Sequence, residues 1–119
     1  MLKDAEYFTH IYLRTGRTDM RPGIDGLLTV IGGQMGLDPT EPGSLFLFCG
    51  RKKNRMKALI FEGDGWLLCY KRLTGDCSYQ CPRDENEALE LTKQQFRWLM
   101  EGLSIEQKKV IKDTKPDIY

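Results

Sequence analysis

Five cationic side chains within nine residues are the part of this sequence with the clearest chemistry. The stretch CGRKKNRMK, residues 49–57, contains Arg51, Lys52, Lys53, Arg55 and Lys57. Closely spaced guanidinium and ammonium groups bind polyanions, because they contact phosphate or carboxylate oxygens and raise the local positive potential. The same residue types also occupy exposed loops and sheet edges, where they oppose aggregation. Composition alone leaves both interpretations open.

The positive charge is concentrated in the middle of the chain. Residues 45–75 contain seven Lys and Arg against Glu62 and Asp64, a net charge of +5, which leaves −4 for the rest of a chain whose formal total is +1. One charged region on a nearly neutral protein is typical of a surface that binds nucleic acid or another polyanion. The candidate DNA contacts are Arg51, Lys52, Lys53, Arg55, Lys57, Lys71 and Arg72. No segment has the pattern of a base-reading helix, so we expect binding without sequence specificity.

Residues suited to catalysis or metal binding do not form a recognisable set. The single histidine, His10, has no evident nucleophile or acidic partner, and neither a P-loop nor a dinucleotide fingerprint is present. Asp19, Asp25, Glu62 and Asp64 could meet at a metal, but a helix start explains Asp25 and a hairpin turn explains the last two. We therefore expect no catalytic residues, no metal site and no cofactor.

The four cysteines are Cys49, Cys69, Cys77 and Cys81. Zinc ribbons use two close pairs, whereas here only Cys77 and Cys81 are close, at C-x3-C. Cys49 and Cys69 lie in apolar, strand-like runs, where a thiol behaves as a small hydrophobe. The N-terminus lacks a secretory apolar region, so disulfides have little support. We expect mostly buried, reduced cysteines in a cytoplasmic protein; no apolar run approaches the roughly 20 residues of a membrane span.

Apolar periodicity and turn residues predict the order β-α-β-β-β-(β)-α-α. The predicted strands cover residues 10–14, 45–49, 55–62, 66–73 and, more weakly, 77–80. Helical spacing predicts one helix from residue 22 to residue 35, with Ile24, Leu27, Leu28, Ile31 and Met35 on its buried side. Together these elements predict a single α+β domain over residues 1–119. It would be an antiparallel β-meander with a basic hairpin, covered by an N-terminal helix and C-terminal helices.

Two capping boxes mark the C-terminal helices. Thr92 and Gln95 have the spacing of the first box, with Leu91 placed to pack on Phe96 as a hydrophobic staple. Ser104 and Gln107 have the spacing of the second, which predicts a short helix before the C-terminal tail. Residues 96–103 carry the apolar side of the first of these helices.

The hairpin signal EGDG at residues 62–65 makes the basic strands face each other. A three-residue loop puts Lys57 opposite Lys71, and a two-residue turn puts Lys57 opposite Arg72. Like charges directly opposite in a sheet are destabilising, so either both side chains turn outward into water or an anion lies between them. Trp66 and Tyr70 could stack on bases, although aromatic residues at strand positions are more often part of the core.

Three blocks in order resemble the TnpB-type accessory proteins of insertion sequences of the IS66 family. They are DMRPGIDGL at 19–27, FLFCGRKKNRMKALIFEGDGWLLCYKRL at 46–73 and LTKQQFRWLMEG at 91–102. The resemblance covers residues 10–103 and leaves 104–119 as a short helix and tail. Phe61 and Cys81 stand where the family pattern has tryptophan, and Pro22 stands where a basic residue is common.

The resemblance implies a non-catalytic helper in transposition, encoded beside a larger transposase that carries the catalytic residues. Among the candidate DNA contacts, Arg51, Lys57, Lys71 and Arg72 match the family pattern. Three arginines near the first helix could extend the contact, namely Arg14, Arg17 and Arg21. The alternative is a protein–protein adaptor that docks its basic hairpin on the transposase, or a homo-oligomer formed through an exposed sheet edge.

Overall fold

The fold is one mixed sheet with helices packed against it, and the computed structural model describes residues 7–82 and 88–107. The strands are β1 (His10–Thr18), β2 (Ser44–Gly50), β3 (Arg55–Phe61), β4 (Trp66–Arg72) and β5 (Ala88–Leu91). The helices are α1 (Ile24–Thr29), which continues into a π-helical turn (Val30–Gln34), and α2 (Lys93–Met100). The α+β class predicted from the sequence is confirmed.

The strand order across the sheet is β4-β3-β2-β1-β5. Strands β2, β3 and β4 form the predicted antiparallel meander, but β1 pairs parallel to β2, so the expectation of a wholly antiparallel sheet is wrong. The cause is the helical connection through α1, which returns the chain to the starting end of β1 and makes a parallel β-α-β unit.

The weak strand predicted at residues 77–80 is not formed. Its backbone instead lies over the start of β3, where the Tyr79 amide donates to the Lys53 carbonyl at 2.7 Å and the Tyr79 side chain is buried in the core. The fifth strand is β5, which pairs antiparallel with β1 on the outer edge of the sheet. Residues 104–107 are not helical, and the rest of the predicted last helix lies outside the described residues.

Two apolar clusters lie on opposite faces of the sheet. Phe96 and Leu99 of α2 pack with one face, and Leu27 and Ile31 from α1 and the π-helical turn pack with the other. Every residue of β2 is buried, as expected of a central strand covered on both faces. The side chains of β2 alternate between the clusters: Leu45, Leu47 and Cys49 join the α2 cluster, and Phe46 and Phe48 join the α1 cluster.

The predicted capping box of α2 is confirmed. The Thr92 hydroxyl accepts a hydrogen bond from the Gln95 amide at 3.0 Å, and the Gln95 side chain accepts one from the Thr92 amide at 2.9 Å. These bonds satisfy two amides that a helix start leaves unpaired. Leu91 and Phe96 are both buried in the α2 cluster, which directs α2 onto the sheet.

The imidazole of His10 joins three segments at the start of β1. Its Nδ1 lies 2.8 Å from a Glu90 carboxylate oxygen and its Nε2 lies 3.2 Å from one of Glu41. The ring also stacks on Tyr12, with 5.8 Å between ring centroids. The hydrogen bond that the imidazole donates to Glu90 raises the pKa of His10 above its ordinary value, with the charges of both carboxylates adding to the rise.

We expect His10 to stabilise the fold more at acidic than at alkaline pH. Because its folded-state pKa is raised, its contribution is complete below the unfolded pKa of about 6.5 and is lost as the pH rises through the folded-state value. Urea unfolding of the protein and of His10→Asn, at about pH 5.5 and 8.5, should show the larger difference in stability at the lower pH. An equal difference at both values would contradict this assignment.

Candidate nucleic-acid interface

Most of the cations predicted to bind DNA lie at one end of the sheet. Strands β1, β2 and β4 finish there and β3 starts there, because β1 and β2 run parallel and their neighbours alternate in direction. We call this surface the basic end and define it by Arg17, Arg21, Arg51, Lys52, Lys53, Arg55, Lys71 and Arg72.

Three exposed cations of the basic end lie on a loop whose backbone is hydrogen-bonded to neighbouring segments. Arg51, Lys52 and Lys53 are exposed in the turn between β2 and β3. The Arg55 amide donates to the Lys52 carbonyl at 3.3 Å, and the Lys53 carbonyl accepts from Tyr79. The Asn54 carbonyl also accepts from the Leu73 amide at 2.8 Å. The loop therefore presents its side chains from a backbone tied to the core on both sides.

The β3–β4 register differs from both registers expected from the sequence. Phe61 pairs with Trp66 around a four-residue loop, in which the Glu62 amide donates to the Gly65 carbonyl at 2.8 Å. Consequently Lys57 lies opposite Tyr70, not opposite Lys71 or Arg72.

A like-charged pair does exist in this hairpin, but it joins Arg55 and Arg72. Lys71 lies opposite Met56, which belongs to the α2 cluster, so side-chain alternation places Lys71 on the other face of the sheet from the arginine pair. The hairpin cations are therefore divided between the two faces of the sheet. What they have in common is that they all lie at the same end of it.

Lys57 is buried, with 8% of its surface exposed. Its ammonium donates to the Met20 carbonyl at 2.5 Å and to the Pro22 carbonyl at 2.9 Å, and it lies 5.7 Å from the centre of the Tyr70 ring. Lys57 thus anchors the loop between β1 and α1 to the sheet. The prediction that Lys57 is a surface DNA contact does not agree with this geometry, because an ammonium already bound to two carbonyls is not presented to phosphate.

Arg14 is also buried and engaged within the protein. Its guanidinium donates to the Gln34 side-chain oxygen at 2.6 Å, to the Thr18 hydroxyl at 3.0 Å and to the Arg17 carbonyl at 3.3 Å. Burial lowers the pKa of Arg14 below its ordinary value. Arg14 therefore links β1 to the π-helical turn, and the prediction that it extends the DNA contact is at odds with its position.

Arg21 is exposed but ion-paired with Asp19. Two nitrogens of its guanidinium donate to the carboxylate, the shorter contact being 2.7 Å. This hydrogen bonding lowers the pKa of Asp19 to about 2, and the charge of Arg51 contributes a smaller part. Arg17 is exposed beside this loop. A phosphate would therefore compete with Asp19 for Arg21 but not for Arg17.

The two aromatic residues proposed for base stacking have different environments. Trp66 is half-buried, packs on Phe61 at 4.9 Å and donates its indole N–H to the Pro39 carbonyl at 3.4 Å, at the far end of the sheet. Tyr70 is 52% exposed and lies two residues before Arg72 on β4. Only Tyr70 is placed to stack on a base held at the basic end.

The opposite end of the sheet carries acidic residues. The β3–β4 turn with Glu62 and Asp64 projects there, and Glu41 and Glu90 flank His10 at the same end. We call this the acidic end and define it by Asp38, Glu41, Glu62, Asp64 and Glu90. Most of these charges are thus separated along the strand direction, although Asp19 is paired with Arg21 at the basic end.

A disulfide joins Cys49 at the end of β2 to Cys81. The expectation that both are reduced is wrong, because the chain after β4 folds back across the sheet and brings residues 32 positions apart into contact. The bond lies beside the basic end. It also holds the segment in which the Pro82 carbonyl accepts a hydrogen bond from the Gly16 amide. Cys69 and Cys77 are free thiols.

The described residues contain neither a cluster of metal ligands nor a helix that could span a membrane. Within residues 7–82 and 88–107, no three His, Cys, Asp or Glu side chains come together as metal ligands. None of the helices in the same part of the chain has the length and apolar character needed to cross a membrane.

Comparisons with known proteins agree with the resemblance seen in the sequence. The family described as IS66 Orf2-like proteins matches residues 9–110. Two relatives come from Sinorhizobium fredii, and both are named as uncharacterized proteins. The protein y4hO is 31% identical over 93 residues, which cover 78% of this chain and 79% of y4hO. The protein y4jC is 28% identical over 108 residues, which cover 88% of this chain and 91% of y4jC. No solved structure matches the chain. The chain belongs to the IS66 Orf2-like family, the accessory proteins of IS66 insertion sequences.

Proposed function

We propose that this protein is a non-catalytic accessory protein of transposition that binds DNA through the basic end. Family membership supports the role in transposition. The observation that carries DNA binding is the Arg55–Arg72 pair, two like charges directly opposite at the same end as three exposed loop cations. Such a pair is destabilising alone and becomes favourable when an anion lies between the two guanidinium groups.

Phosphate is the anion that this surface fits. Arginine presents a planar set of donors that matches phosphate oxygens, and the exposed loop cations add charge around the pair. Loop and strand-end cations contact the DNA backbone without entering a groove, so the binding is independent of sequence. Tyr70 lies next to the pair and can stack on an unpaired base.

DNA binding through this surface has a defined salt dependence. The basic end has five exposed cations other than Arg21, namely Arg17, Arg51, Lys52, Lys53 and Arg72. If each contacts one phosphate, the log–log slope of the binding constant against salt is roughly −4.5. We therefore expect a loss of a few hundredfold in affinity between about 50 and 200 mM salt, measured by fluorescence anisotropy with duplex DNA.

Charge reversal within the loop should weaken that binding. We expect Lys52→Glu/Lys53→Glu to reduce the affinity at least about tenfold and to flatten the salt slope. The matched control is Lys93→Glu/Arg97→Glu on the exposed side of α2, which changes the net charge equally and should have a much smaller effect. Equal losses in the two double variants would show that only net charge matters.

The alternative ligand for the basic end is the larger transposase of the same element. A folded, monodisperse sample that does not retard DNA at low salt would contradict the proposal and leave this alternative. Co-purification with the intact transposase, with and without nuclease, separates the two. Complexes that survive nuclease and are lost in Lys52→Glu/Lys53→Glu would identify a protein contact.

A further inference from the structure

Strand β4 has a free edge in the described part of the chain. It pairs with β3 on one side, and no strand of the described residues pairs with the other side. An edge of seven residues offers unpaired amides and carbonyls to another strand. We propose that β4 pairs antiparallel with β4 of a second copy of this chain, giving a two-fold symmetric dimer with one continuous sheet.

Charge separation along the strand selects the antiparallel orientation. β4 runs from the acidic end, beside Glu62 and Asp64, to the basic end at Arg72. An antiparallel copy places the basic end of each chain next to the acidic end of the other, so unlike charges meet at both ends of the interface. A parallel copy would bring Arg72 against its equivalent and repel.

The register follows from using the whole edge. Because β4 covers residues 66–72, complete overlap about a two-fold axis sets Cys69 opposite Cys69 of the second copy. The same register sets Trp66 opposite Arg72, where a guanidinium can stack on the indole face. It also sets Leu68 opposite Tyr70, which covers a large side chain that is 52% exposed in one chain. A shift of one residue would move side chains to the wrong face.

The dimer would place its two basic ends at opposite extremes of the shared sheet, facing away from each other. In the dimer Arg72 and Tyr70 lie at the interface, so the loop cations Arg51, Lys52 and Lys53 and the nearby Arg17 remain to contact DNA. Resting on the proposed function, this arrangement would let one dimer hold two separate DNA segments. Dimerisation itself is measured without DNA, so a failure of DNA binding and a failure of dimerisation are distinguishable.

The native Cys69 tests both the pairing and its register. In a Cys77→Ser background, which removes the exposed free thiol, mild oxidation with diamide should give a covalent dimer on non-reducing gels, linked by Cys69. Peptide mass mapping should find the Cys69–Cys69 bond, and Cys69→Ser should abolish it. A covalent dimer that is absent, or linked through other cysteines, would overturn the proposed register.

Solution mass provides the second measurement. Light scattering after size exclusion should show a monomer–dimer equilibrium that weakens with salt, and Arg72→Glu should raise the dimer dissociation constant about tenfold or more. Arg97→Glu on α2 is the matched control and should leave the constant unchanged. A protein that stays monomeric up to millimolar concentration, with native circular dichroism, would refute the dimer.

Discussion

Reducing the Cys49–Cys81 disulfide is expected to lower the free energy of unfolding by about 3.5 kcal/mol. The bond closes a loop between residues 32 positions apart, so its loss restores conformational freedom mainly to the unfolded chain. In the folded chain the segment before Pro82 keeps the buried Tyr79 ring and its backbone bond to Lys53. We therefore expect the reduced protein to fold, but with a lower urea midpoint.

The measurement is urea unfolding with and without a phosphine reductant, followed by circular dichroism. Cys77→Ser is the control for thiol chemistry elsewhere, because Cys77 is exposed and unbonded and its replacement should leave both curves unchanged. Identical midpoints for the oxidised and reduced proteins would contradict a stabilising role. In a reducing compartment the bond would be open to thiol–disulfide exchange, so the stability of both forms matters.

Lys57→Met is expected to cost about 3 kcal/mol of stability. Methionine keeps most of the apolar stem of lysine but removes the ammonium that donates to the Met20 and Pro22 carbonyls. Both acceptors would lose a charged hydrogen-bond partner in a part-buried site, where replacement by water is incomplete. The loop that carries Asp19 and Arg21 would then lose its attachment to β3.

Lys52→Met is the matched control for this prediction. It makes the same chemical change on an exposed loop residue five positions away and should alter stability by less than about 0.5 kcal/mol. Chemical denaturation of both variants compares the two sites directly. Equal stabilities would show that the Lys57 contacts contribute nothing. Replacement of Lys57 would remove structure along with any DNA binding, whereas Lys52 and Lys53 are exposed and can be replaced without that loss.

Local sequence signals predicted most of the elements, although the strand expected at residues 77–80 and the helical turn expected at residues 104–107 are not formed. The Thr92 capping box, the apolar stripe of the first helix and the three strands of the meander depend on spacings of two to four residues, and each is found in the structure. The π-helical turn at the end of α1 was not foreseen. Its Met35 amide donates to the Val30 carbonyl, a bond that widens the helix over Gly32 and Gly33.

Long-range pairing was predicted poorly, because no short spacing encodes it. The parallel pairing of β1 with β2, the fifth strand and the disulfide all depend on how the chain returns across the sheet. The sequence did contain one indication that Lys57 is buried. Alternation along β3 puts Lys57 on the same face as Leu59, which packs in the α1 cluster, so a helix-covered side could have been inferred. The sequence did not indicate that the β3–β4 loop has four residues, and this length sets the register of the hairpin.

The separation of the basic and acidic ends has a consequence for how the molecule approaches a polyanion. With a formal total of only +1, the protein has little net attraction to a distant anionic surface. Its charge distribution is instead a dipole along the strands, which experiences a torque in the field of the surface. Since that field decays over about 8–10 Å at physiological salt, alignment happens only during the last encounter. We expect the protein to meet the polyanion in one orientation, with the basic end of the sheet facing it. We also expect a modest gain in association rate.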